Sequence, residues 1–287
     1  MALCQLSALD RLKTFIRLSN VEQHVMAANR ACIGLAVSLL FLAVFSASGD
    51  EVHEAAELPQ GVKACADWMA KRTSADGAKV RLIGDSTLCA DMPTLSDDAV
   101  NDFVEKISLL QEDAHPDVVI RSAGGRVDLG MTMGEAIQRR RASVYAFGFC
   151  GSSCANYVFL PASRRVILKD TLLVFHGGLY RSILDSRDLT EEGKERTVAS
   201  LSRQGQLLRR AGVDPEFFEW IEQLNQDREG TSARCPGTQS VRSIVFSSRE
   251  LAAHGATVDH DYGPQTRTEL DVLTKKYGID GETCYWQ

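Results

Sequence analysis

The sequence predicts an α/β domain with a mainly parallel sheet flanked by helices, and three observations predict it. Short apolar runs (VVI at 118–120, SVYAFGF at 143–149, LLVF at 172–175) alternate with segments whose apolar residues recur at helical spacing. Such continuously apolar strands suit a parallel sheet buried on both faces. Glycine-rich turns follow these runs, at the carboxyl ends of strands where open α/β sheets bind ligands.

Taken in order, 80–83 reads as a strand ending at Gly84. Thr94 or Ser96 opens a helix with Val100, Phe103, Val104, Ile107 and Leu110 on one face. Pro116 precedes the strand 118–120, and after a Gly-Gly turn Asp128 caps a helix carrying Leu129, Met133, Ala136 and Ile137. A strand over 143–149, a short helix over 154–160 and strands over 165–168 and 172–175 follow. A long charged helix spans 190–211, and Asp214 with Pro215 starts a second one bearing Phe217, Trp220, Ile221 and Leu224. Residues 228–240 read as a loop and 241–246 as a strand. Ser247 with Glu250 makes a capping box for a helix that stops at Gly255.

The 287 residues are 44% hydrophobic and 24% charged, with net charge −6, which excludes disorder, collagen and a multi-span membrane protein. No basic field exists to attract a phosphate backbone, so nucleic acid is not an expected partner. From Ala31 to Phe45 the chain carries no charge; Arg30 precedes this run and small residues follow it, the pattern of an export signal. Starting at Met26 gives that signal ordinary proportions, so 1–25 reads as a mis-assigned start or an extension and 26–48 as a signal peptide. The expected location is periplasmic or secreted. If 31–48 stays uncleaved, it anchors the chain to the inner membrane, the one case in which a membrane is a partner. Residues 49–77 read as a linker and N-terminal segment, 78–262 as the domain, and 263–287 as a tail.

Cleavage after 48 removes four of 32 basic and two of 38 acidic residues, leaving net −8 and six of the eight cysteines. An even number in an exported chain suggests disulfides. Sequence order suggests Cys65 with Cys89 and Cys235 with Cys284, the second holding the tail; Cys150 and Cys154 are bridged together, bridged elsewhere or reduced. Histidines are scattered, His254 and His260 read as loop residues near Asp259 and Asp261, and nothing calls for a metal or cofactor.

Three strand ends carry chemistry. In IRSAGGRVDLGMTMGEAI (120–137), Gly124 and Gly125 make a tight turn that can also expose backbone N–H groups to an oxyanion. In YAFGFCGSSCANYVF (145–159) a serine stands between strand and helix, either as a cap or as a nucleophile. LLVFHGG (172–178) puts His176 at the end of an apolar strand.

Together these segments resemble the proteolytic subunit of Clp protease (ClpP) and its exported relatives in the ClpP/crotonase superfamily. The family's Ser-Pro-Gly-Gly turn, Gly-Met and helix are matched with Ala123 in place of proline. Its Gly-x-Ala-Ala-Ser-Met turn is matched by GFCGSS (148–153), and the Cys-x-Ser-Ala-Cys of exported variants by CGSSC (150–154); both select Ser152. His176 follows 24 residues later, as in the family, and SSRELAAHGATVD (247–259) resembles a further family segment, so the similarity spans about 78–260.

The resemblance implies a fold of repeated ββα and βαβ units. It implies Ser152 as nucleophile, His176 as general base, and the N–H groups of Gly125 and Ser153 as oxyanion hole. The family's acid falls on or near Ser243, where there is no carboxylate; Asp214 and Asp227 are substitutes. The implied function is an exported serine hydrolase, a peptidase acting through an acyl-enzyme on peptide or protein substrates, with homo-oligomer formation as in the family. The other reading is a non-catalytic binding or assembly protein that kept the turns and lost the acid.

Overall fold

A hairpin starts the sheet. In the computed structural model, which describes residues 57–111, 115–227, 235 and 241–286, β1 (Lys79–Ile83) pairs antiparallel with β2 (Thr87–Asp91). Every later pairing of the sheet is parallel. β2 pairs with β3 (Asp117–Ser122) and β3 with β4 (Ser143–Gly151); β4 pairs with both β5 (Arg164–Ile167) and β6 (Leu172–Val174). The short β8 (His260–Asp261) closes the edge on β5. A separate pair joins β7 (Ser243–Phe246) to β9 (Thr283–Trp286), also parallel.

Alternation along the strands builds two cores. Val118 and Ile120 of β3 and Val144 and Ala146 of β4 face the larger one, with α2 (Asp97–Leu109) and α3 (Val127–Arg140). Val119 and Tyr145, between them, face the opposite side and meet Val62, Cys65 and Met69 of α1 (Gln60–Ala70). Helical apolar spacing does the rest: Val100, Phe103 and Ile107 of α2, and Leu129, Met133, Ala136 and Ile137 of α3, are all buried in the larger core. α4 (Glu191–Arg210), capped by Thr190, and α5 (Phe217–Gln226) cover that side with Leu207, Leu208, Phe217, Phe218 and Ile221.

Several sequence expectations need correcting. The segment 49–77 is not only linker, because α1 lies within it and buries a face of apolar residues spaced three and four apart. β2 escaped notice because a cysteine and two polar ends disguise a strand that is buried along its whole length. Ser96, not Thr94, caps α2, accepting from Ala99 N at 3.4 Å. Asp128 lies inside the first turn of α3, held by Arg126, rather than at its cap. Asp214 accepts from Glu216 N at 2.9 Å, and α5 begins only at Phe217. The tail 263–287 contains α7 (Arg267–Tyr277), with a Thr266–Glu269 capping box, as well as β9. Ser247 caps α6 (Ser248–Ala253), accepting from Glu250 N at 3.3 Å, but the Glu250 side chain does not return the bond, so the expected box is half formed.

The regions read as leader, 1–48, and as loop, 228–240 apart from Cys235, lie outside the described residues. Three disulfides are present: Cys65–Cys89 joins α1 to β2, Cys235–Cys284 holds β9, and Cys150–Cys154 closes a five-residue ring. Such a set fits an oxidising compartment. Among the described residues no helix is long and apolar enough to cross a membrane.

Among the described residues two charges are buried, Asp91 and Arg165. Asp91 receives Arg72 Nε at 2.8 Å and Arg121 Nε and Nη2 at 2.8 and 3.0 Å, tying the segment after α1 to β2 and β3. Arg165 donates to the carbonyls of Leu160, Ala211 and Thr257, the first two at helix ends, and burial pulls its pKa down to about 10. Asp259, read as a loop residue, accepts from Arg165 N at 2.8 Å and fixes the approach to β8.

Two predictions test this account. Asp91→Ala removes the carboxylate bonded to two partly buried guanidinium groups and should cost about 3 kcal/mol in denaturant unfolding; an unchanged midpoint refutes the role given to this cluster. Glu135 is held below its ordinary carboxyl value of 4.5 first by its hydrogen bond with Arg203, 2.7 Å away on α4. Its contribution is therefore complete above the unfolded value and lost as the pH falls through the lower folded one. The melting-temperature difference between wild type and Glu135→Gln should shrink on acidification below pH 4.5.

Candidate active site

β4 changes partner halfway. Its first half, Ser143–Ala146, pairs with β5, and its last three residues, Phe149–Gly151, pair with β6. Between them Phe147 and Gly148 are extra relative to β3, where Ile120 faces Ala146 and Ser122 faces Cys150. Gly148 takes φ +67° there, and its N–H is held by Thr171 Oγ1 at 2.9 Å. The bulge lets β6 slot in beside the end of β4, with Gly151 opposite Val174. Ser152 and His176 thus leave adjacent, parallel strand ends.

Ser152 is the conformational outlier of this turn. Its φ is +54°, in the left-handed region that costs a non-glycine residue about 1–2 kcal/mol. The surroundings impose it. Ser152 N donates to Val174 O at 3.0 Å, and Ser152 O accepts from Asn156 N at 2.9 Å. The Cys150–Cys154 disulfide, with Cα atoms 5.3 Å apart, spans the same five residues. A helical segment follows at once, its π-helical turn running over Ala155–Phe159. Ser152 is thus a half-buried serine held in strain between strand and helix.

The Gly-Gly turn packs directly on it. Gly124 has φ +90°, and a Cβ there would lie 2.8 Å from both Ser152 Cβ and Ser153 N and 2.6 Å from Gly151 O. Its carbonyl accepts from Leu95 N at 2.8 Å and Thr94 Oγ1 at 3.1 Å. Because the peptide is trans, the Gly125 N–H of the same unit points away from Leu95. Ser153 is buried and its hydroxyl donates to Gly125 O at 2.7 Å, so it braces the turn. No backbone acceptor takes the N–H of Gly125 or of Ser153 among the described residues. The structure thus brings Ser152, Ser153 and Gly125 together.

His176 is exposed, and neither its ring nor the Ser152 hydroxyl makes a hydrogen bond among the described residues. Its backbone is tightly fixed. Phe175 before it exchanges both backbone hydrogen bonds with Ile244 of β7, at 2.8 and 2.6 Å. After it, Asn156 Nδ2 donates to Gly177 O, and Leu179 N donates to Gln204 Oε1 at 2.9 Å. None of the three candidates for the acid is bonded to the imidazole. Ser243 is opposite His176 in the β7 register, but its hydroxyl pairs with Thr283 Oγ1 at 2.9 Å. Asp214 faces His254 Nδ1 at 3.9 Å, and Asp227 closes the C-terminal end of α5. His254 lies in the turn that ends α6, but it is packed rather than solvated, its ring 4.2 Å from that of Trp220.

Among solved structures, the chain is similar to ClpP1 from Listeria monocytogenes. The identity is 18% and the TM-score 0.37, and for a mutant of that protein 19% and 0.39; each alignment covers 62% of this chain and 90% of the other. No family profile and no curated protein matches the chain.

Sequence reasoning missed Asn156 and left the Cys150–Cys154 bridge open. A signal for Asn156 was available, as the one polar side chain in the apolar run ANYVFL, four residues after Ser152. Gly124 supplies the test of the turn. Gly124→Ala adds both left-handed strain and a backbone clash, whereas Gly278→Ala adds only strain, having φ +70° and open space around it. The first should lower stability by well over the roughly 1–2 kcal/mol expected for the second; equal losses in calorimetry refute the close contact.

Proposed function

We propose that this protein is an exported serine hydrolase of the ClpP type, a peptidase that works through an acyl-enzyme on Ser152. The observation that carries the reading is the left-handed Ser152 at a strand-to-helix turn, with the His176 strand end paired alongside. The reaction uses this chain's groups alone. Ser152 Oγ attacks the scissile carbonyl carbon while its proton passes to the His176 imidazole. The oxyanion accepts from the N–H groups of Gly125 and Ser153, each such donor contributing about 3 kcal/mol to the transition state. The imidazolium then protonates the leaving amine, and a water deprotonated by His176 hydrolyses the ester.

Export to the periplasm or beyond is part of the proposal, with 26–48 as the signal and six cysteines paired in the remaining chain. If that segment is retained, the same domain works at the inner membrane. A second reading, a non-catalytic binding or assembly protein, is favoured by one observation: no carboxylate is bonded to His176 among the described residues.

Fluorophosphonate labelling separates the two. Wild-type protein should be labelled at Ser152, Ser152→Ala should not, and His176→Ala should slow labelling by about 10²-fold or more. Absent labelling, or equal labelling of Ser152→Ala, favours the binding protein.

A further inference from the structure

The site lacks an acid where the family has one, yet His176 still needs orienting. The residue on which the observations converge is Asn156. It lies one helical turn beyond Ser152, with its N–H on the Ser152 carbonyl at 2.9 Å. Its side chain is 1% exposed, and Nδ2 donates to the carbonyl of Gly177, the residue after the histidine. The turn carrying the nucleophile therefore grips the histidine segment on both sides, through Ser152 N on Val174 O and through Asn156 Nδ2 on Gly177 O.

The other end of the same amide is unused. Asn156 Oδ1 is buried and has no hydrogen-bond partner among the described residues. Rotating the amide would not help, since it would set Oδ1 against the Gly177 carbonyl. A buried acceptor left unpaired costs about 1–3 kcal/mol, and one in a native core calls for an explanation. The segment it already holds carries an unused donor, since the imidazole of His176 makes no hydrogen bond among the described residues. Ser243, Asp214 and Asp227, by contrast, are held by Thr283, held against His254, or placed at a helix end.

We propose that Asn156 is the positioning residue for His176, in the role that a carboxylate fills elsewhere. When the ring turns toward Ser152, one nitrogen takes the Ser152 proton and the N–H of the other donates to Asn156 Oδ1. Nδ2 stays on Gly177 O and keeps the segment from sliding. Because Nδ2 is held by Gly177 O, only the amide oxygen is free to accept from the ring; it fixes the tautomer as a carboxylate does but brings no negative charge to the imidazolium, so turnover is slower. This inference rests on the Ser152–His176 reading above.

The experiment compares fluorophosphonate inactivation of wild type, Ser152→Ala, Asn156→Ala and the shape-conserving Asn156→Leu, as the maximal rate and the concentration giving half of it. Misplacing a reacting group by about 1 Å costs some 10²-fold. Both Asn156 variants should therefore lose about that much in the maximal rate, with the half-saturating concentration unchanged. A purely structural role would instead lower melting temperature without this split. If wild type is labelled at Ser152 and both variants react at its rate, the role of Asn156 is refuted and the peptidase reading stands. If wild type is not labelled, both fall. Should the variants not fold, a crystal structure of the wild-type phosphonate adduct decides. It should show the imidazole N–H on Asn156 Oδ1, and a ring bonded only to solvent or to Ser243 overturns the proposal.

Discussion

The change of partner within β4 is the constraint on which the site depends. A parallel sheet spaces its strands by hydrogen bonding, so an undisturbed β4 would carry one neighbour on that side along its whole length. The two extra residues Phe147 and Gly148 break the register, β5 lets go after Ala146, and β6 takes over at Phe149. Only then does the His176 end come to lie beside the Ser152 end. Bulges next to functional sites commonly re-aim side chains in this way. Here a whole strand is re-aimed.

Around that break the structure is stiff. The strain in Ser152 is opposed by backbone hydrogen bonds at both its N–H and its carbonyl, by the disulfide that bridges its neighbours, and by Gly124 pressed against it. Buried ions support the frame from further out. Asp91 ties β2 and β3 to the chain leaving α1, and Arg165 satisfies carbonyls at two helix ends that would otherwise be buried without donors. Both arrangements are worth more as fixed geometry than as net attraction, because desolvation offsets most of the Coulomb energy.

Much of the fold was legible because local signals and burial agreed. The apolar faces of α2 and α3 read directly as 3.6-residue periodicity, and the capping residues Thr190 and Ser247 do what their chemistry suggests. The elements that escaped were those whose burial is lent by partners distant in sequence. α1 is short and polar on one side, and becomes helix because Val62, Cys65 and Met69 find the back of the sheet. β9 exists because β7 offers it a ladder, and the Cys235–Cys284 bridge holds it there. At the site, the motif spacing selects Ser152 over Ser153; in the structure Ser152 is strained and half-buried, and the Ser153 hydroxyl bonds to Gly125 O.

By itself the sequence determined the fold class, the order of strands and helices from β3 to α6, and the short segments in which chemistry could reside, because these depend on periodicity, glycine placement and capping within a few residues. Tertiary structure alone decided which segments meet. The pairing of Gly151 with Val174, the reach of Asn156 to Gly177, and the capture of Ser243 by Thr283 join residues 21 to 40 positions apart. No local pattern encodes such contacts, since the first two depend on where the bulge in β4 sends the neighbouring strand and the third on the pairing of β7 with β9.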